Sequence, residues 1–147
     1  AGGCCWTTTP RERSSRRDEG VALAGALARG VAGCAERDRG KLPPTTRAVP
    51  SQLTDLAGKA WSSKPEDWAD EAYRCAHFGV GKPQSWQRQW VVTGARQGLA
   101  RATADFDGDS RPAYIVEHDV SCSAEKCLAA PNVREPEPPT GRDGGAD

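Results

Sequence analysis

At 147 residues the chain has the length of one domain, enough for a modest core and too little for two full ones. Apolar residues make up 37%, and sixteen glycines and eleven prolines interrupt them, so much of the chain is expected to be loop around a small core. Twenty basic and twenty acidic side chains cancel, which removes the long-range positive field that would draw the protein to nucleic acid or an anionic membrane.

Six cysteines in so short a chain exceed what a cytosolic domain normally carries, and an even count suits a disulfide framework in an oxidising compartment. An extracytoplasmic location, whether periplasm, cell surface or extracellular space, is therefore the expectation. The opening Ala-Gly-Gly-Cys resembles a lipoprotein cleavage site at Cys4, but without the apolar segment that precedes such a site.

Residues 1–17 mix Gly, Thr, Ser and Pro with Arg11, Arg13, Arg16 and Arg17 and show no period, which reads as a flexible basic arm. From residue 18 the pattern is helical: Val21, Ala24, Leu27, Ala28, Val31 and Ala35 recur at three- and four-residue spacing, predicting a helix over 18–39. Gly25, Gly30 and Gly33 each cost about 1 kcal/mol relative to Ala in a helix interior, so packing rather than propensity must hold it. Its apolar run, 21–35, contains Arg29 and is too short to cross a bilayer, so no membrane span is expected.

Pro43, Pro44 and Pro50 make the following segment an extended connection. A second helix is predicted from Ser63, with a capping box of Ser63 and Glu66, Pro65 in the first turn, and Trp68, Ala72, Cys75 and Ala76 as its apolar stripe. Beyond Pro83 the period changes to two. Trp86, Trp90 and Val92 lie on one face of a first strand, a turn spans 93–98, a second strand spans 99–106 with Ala100, Ala102 and Ala104 on one face, and a third spans 113–119. Residues 131–147 are rich in Pro, Gly and acidic side chains, including Glu135, Glu137, Asp143 and Asp147, and read as a disordered tail. The expected fold is α+β: an N-terminal helix packed on a three-stranded antiparallel meander, reached by a long helix-containing connection, with the domain spanning 18–130.

The order of elements and several strings resemble the globular head of type IV pilin-like proteins of the deltaproteobacterial, myxobacterial kind. Ala35-Glu36-Arg37-Asp38-Arg39-Gly40-Lys41-Leu42-Pro43 resembles the helix end and its Gly-x-Φ-Pro exit, and Gly-Lys-Ala-Trp-Ser-Ser-Lys-Pro-Glu-Asp-Trp over 58–68 resembles the opening of the connecting helix. Phe78-Gly79, Pro83 and Trp86-Gln87-Arg88-Gln89-Trp90 resemble the entry to the first strand, and Ala102-Thr103-Ala104-Asp105-Phe106-Asp107-Gly108-Asp109 the second strand and its acidic turn. The resemblance covers about residues 30–118 and implies a non-catalytic structural subunit of filament, adhesion or secretion machinery, with other pilin-like subunits or surface proteins as partners. The prepilin site and very apolar N-terminal helix of that family have no counterpart in this sequence, so a soluble monomer or weak dimer is the expectation for the chain alone.

Chemistry-bearing residues are few. Asp105, Asp107 and Asp109 at alternate positions match the opening of a calcium loop, but Ser110 stands where the sharp turn needs glycine and Val116 where the bidentate carboxylate belongs; an ordinary hairpin turn explains the same residues. His77 and His118, with Cys75 nearby, lack a structural-zinc spacing. No Cys-x-x-Cys, nucleophile elbow or phosphate loop occurs, so no enzyme and no other cofactor is expected. The alternative is an exported solitary binding module that uses a calcium-stabilised loop or exposed tryptophans to bind carbohydrate or protein; Trp6 and Trp61 are its candidate tryptophans, because Trp68, Trp86 and Trp90 fall on core-facing stripes. Six cysteines permit fifteen pairings. Cys122 with Cys127 across the Ser-Ala-Glu-Lys loop, and Cys34 with Cys75 between the two helices, are the expected disulfides, leaving Cys4 and Cys5.

Overall fold

The computed structural model describes residues 10–106 and 114–134. Its long helix, α1 (Pro10–Arg37), packs on one antiparallel sheet in the order β1 (Gln87–Gly94), β2 (Gln97–Ala104), β3 (Tyr114–Cys122), β4 (Cys127–Arg134). The architecture is α+β.

The stripe along α1 is the reason for the layer. Ala24, Leu27, Ala28, Val31 and Ala35 are each at most 1% exposed. They meet a sheet face smoothed by Ala100, Ala102 and Ala104, flanked by Trp90 and Val120 at one end and Trp86 and Val116 at the other. Small side chains on both surfaces let the helix axis come close, and removal of this apolar area from water is the main stabilising term. Helix α1 begins at Pro10, inside the segment expected as a flexible arm.

The helix ends at Arg37, and the chain turns through Arg39 and Gly40, both at positive φ. The Gly40 N–H donates to the Ala35 carbonyl, closing the helix end. A Cβ at Gly40 would run into the Ser123 carbonyl, so the close approach of the β3–β4 hairpin requires glycine here.

Four strands stand where three were expected. The hairpin beyond β3 closes at Cys122 and Cys127, and β4 pairs with β3 in unbroken register from there to Arg134. Pro131 in mid-strand argues against such an assignment from sequence. The geometry resolves it: Cys127 N–H points away from β3, to Glu36 on α1. By alternation the Pro131 nitrogen points the same way, so the missing donor falls on the open edge of the sheet. The opposite edge is covered. Residues 45–50 lie along β1, where Thr46 N–H donates to the Trp90 carbonyl, and Val49 and Arg88 exchange backbone bonds of 2.8 and 2.9 Å.

The connection from 38 to 86 holds short helical pieces rather than one helix. The 3-10 turns Leu53–Leu56 and Pro65–Trp68 precede α2 (Glu71–Cys75). The expected cap at Ser63 is replaced: Lys64 N–H donates to the Asp67 carboxylate, while Ser63 Oγ donates to the Val80 carbonyl and accepts from Trp68 Nε1. Helix propagation stops at Asp70, whose extended backbone (ψ 152°) restarts the chain as α2.

Candidate functional site

Among the described residues, a buried polar network joins the connection to β1. Tyr73, on α2, is fully buried; its phenol donates to the Arg47 carbonyl at 2.7 Å and accepts from Thr46 Oγ1 at 3.0 Å. Thr46 Oγ1 in turn accepts the Trp90 N–H at 3.0 Å, and the Trp90 indole donates to the Pro43 carbonyl at 2.9 Å. Burial pushes the Tyr73 phenol up to about 12. Outside this node, Arg47 pairs with Asp70 at 3.0 Å; burial works against the Asp70 carboxylate, but the Arg47 contacts outweigh it and hold Asp70 below its usual range.

Beside the node lies Arg88, 2% exposed, on the helix-facing side of β1 between Trp86 and Trp90. Its guanidinium sits 5.9 Å from the centre of the Phe78 ring and donates to the Trp86 carbonyl, while its Nε has no hydrogen-bond acceptor. Burial lowers it to about 10, with Glu19 opposing the shift. Neither Tyr73 nor Arg88 was singled out from the sequence. For Arg88 the signal was present, since strict alternation puts residue 88 on the same face as Trp86 and Trp90.

The Tyr73 phenol faces the backbone carbonyls of Arg47 and Arg88, at 2.7 and 3.2 Å, and so ties the connection to β1. On the opposite face of the sheet, Leu53, Gln87, Gln89, Arg101, Thr103 and Ile115 line a shallow open hollow. Gln87 and Gln89 turn their amide nitrogens to the Pro50 and Thr46 carbonyls, and Arg101 is paired with Glu117 at 2.9 Å.

Asp105 is 1% exposed at the end of β2, and Asp107 and Asp109 lie outside the described residues. Among the described residues, no group of three His, Cys, Asp or Glu side chains is placed to hold a metal ion. His77 is exposed in the turn after α2, whereas His118 is buried between β3 and α1. Trp86 and Trp90 are fully buried and Trp68 is 7% exposed. Trp61 is half-buried against the main core, and Trp6 lies outside the described residues.

The cysteines supply covalent order. Cys34–Cys75 ties the last turn of α1 to α2, and Cys122–Cys127 closes the β3–β4 hairpin. Among the described residues, no helix is long and apolar enough to cross a membrane. No family model matches the chain, and comparison with curated proteins and with solved structures finds no match.

Proposed function

We propose that the protein is a non-catalytic, extracytoplasmic structural module built like the head of a type IV pilin or pseudopilin, serving filament, adhesion or secretion machinery alongside other pilin-like subunits or surface proteins. The observation that carries this reading is the order and packing of elements. A long helix comes first, a long connection is cross-linked to its end, and an antiparallel meander follows whose last hairpin is closed by a disulfide. Two disulfides among the described residues suit an oxidising compartment. The solitary binding-module alternative is less favoured, because Trp61, its one candidate tryptophan among the described residues, is half-buried against the core.

The test uses antibodies raised against the purified domain, applied to cells that make the native gene product. Regular immunogold labelling along surface filaments, or co-purification of the domain with sheared filaments, supports the proposal. Confinement of the native product to the cytoplasm with all cysteines alkylatable overturns it.

A further inference from the structure

Glu36 and Arg37, adjacent and of opposite charge, each serve a different disulfide. The Glu36 carboxylate accepts the Cys127 N–H at 2.9 Å. The Arg37 guanidinium turns the other way, its Nη2 lying 3.6 Å from the Cys34 sulfur and 3.8 Å from the Cys75 sulfur. We propose that this arrangement divides the disulfides into a resistant one, Cys122–Cys127, and a reducible one, Cys34–Cys75, which acts as a redox-sensitive tether between α1 and the connection and is opened by an external dithiol.

Cys34 is 5% exposed, whereas Cys75 is only half-buried, so an incoming thiolate reaches the Cys75 sulfur. A bond forms between the reagent and Cys75, the Cys34–Cys75 bond breaks, and its electron pair departs on Cys34 as a thiolate. The second thiol of the reagent then attacks the mixed disulfide. It leaves as the oxidised cyclic disulfide and gives its proton to Cys75, so the protein gains two electrons and the dithiol loses them. Thiolate departure is faster, and the reduced form more favoured, when a cation stands by the sulfur.

Left alone, Cys34 would be poorly placed for this. It lies in the last turn of α1, where the helix carbonyls disfavour an anion, and Arg37 is the group that reverses that field. At Cys122–Cys127 the fixed neighbour is the Glu36 carboxylate, which opposes a new thiolate. Lys126, Glu36 and Arg37 are all exposed to screening by water and salt, so proximity sets the difference: Arg37 lies against the Cys34 and Cys75 sulfurs and Glu36 against the Cys127 amide. Opening the tether releases the covalent link between α1 and α2, so the turn that packs Ala76 against Gly30 is then held by contacts alone.

The inference does not depend on the pilin-like reading. It is tested by exposing the oxidised protein to rising dithiothreitol, trapping thiols by alkylation and mapping peptides by mass spectrometry. Cys34 and Cys75 are expected to be trapped at lower reductant than Cys122 and Cys127. Arg37→Gln is expected to slow opening of Cys34–Cys75 by about threefold or more, Arg37→Lys to restore most of the rate, and high salt to shrink the difference between wild type and Arg37→Gln. Glu36→Gln, which keeps the hydrogen-bond acceptor and removes the charge, is expected to speed only Cys122–Cys127. Cys122–Cys127 opening first, or Arg37→Gln opening at the wild-type rate with its melting temperature unchanged, would overturn the proposal.

Discussion

Tyr73 and Thr46, 27 residues apart, share a buried 3.0 Å hydrogen bond that fastens the connection to the edge of the sheet. Thr46 passes the contact on to the Trp90 backbone, and Tyr73 to the Arg47 carbonyl. Tyr73→Phe keeps the ring and removes the hydroxyl, taking away the acceptor 3.0 Å from Thr46 Oγ1 and the donor to the Arg47 carbonyl in a buried place. A loss of about 1–3 kcal/mol in denaturant unfolding is expected. The phenol also sets an alkaline limit. Its folded value is raised from 10.0 to about 12, so its contribution is fully present below pH 10 and is lost as pH rises from 10 towards 12. Arg88, lowered to about 10, contributes in the opposite direction over that window, so the comparison isolates the phenol: the melting temperature of wild type relative to Tyr73→Phe should fall as pH rises from 10 towards 12.

Arg88 presents the opposite case, because a buried cation with an unpaired Nε is a burden on the folded state. Arg88→Met fills a similar volume beside Phe78 without a charge. Urea unfolding is expected to show a stability gain of about 1 kcal/mol. A loss of comparable size would mean that the Phe78 and Trp86 contacts outweigh the cost of burying the charge.

His118 should give the protein an acid-side sensitivity. Burial and the neighbouring Arg29 disfavour its imidazolium, with Asp119 opposing them, so its folded value lies below 6.5. Between the folded value and 6.5 the unfolded chain binds more protons, so stability rises with pH there. The contribution is complete above pH 6.5 and is lost as pH falls through the folded value. His118→Gln should flatten the fall in melting temperature on acidification, and Arg29→Gln should reduce it.

Two helix glycines in α1 are expected to respond oppositely to alanine. A Cβ at Gly30 would lie 2.6 Å from the Ala76 Cβ, whereas the nearest atom to one at Gly33 is Arg37 Nη1 at 3.6 Å, an ordinary van der Waals contact. Gly33→Ala is expected to stabilise by about 0.4–1 kcal/mol through helix propensity and unfolded-state entropy. Gly30→Ala should destabilise by about 1–3 kcal/mol through overpacking. Thermal unfolding of the two variants side by side makes the comparison.

Removal of each disulfide should cost more the longer the loop it closes, rising with the logarithm of loop length. Cys34–Cys75 spans a sequence separation of 41 and Cys122–Cys127 a separation of 5. Chain entropy gives about 4 kcal/mol for the longer loop and about 2 kcal/mol for the shorter. Paired Cys→Ser variants measured by denaturant unfolding should therefore rank in that order.

The sequence by itself determined what local periodicity and short separations control. The helical spacing of Ala24, Leu27, Ala28, Val31 and Ala35 named the buried face of α1, and the period-two placement of Trp86 and Trp90 and of Ala100, Ala102 and Ala104 named the sheet face that meets it. These are properties of a backbone repeat and need no knowledge of the neighbours. Tertiary structure alone decided the rest. Pro131 is tolerated in β4 only because its nitrogen faces the open edge, which depends on the register with β3. The helix expected from Ser63 breaks at Asp70, where the side chain is engaged by Arg47 from 23 residues away. Tyr73 became internal because the connection folds back over the β1 edge, a long-range arrangement that propensity does not encode; alternation places Arg88 on the inward face, but only that packing brings Phe78 against its guanidinium.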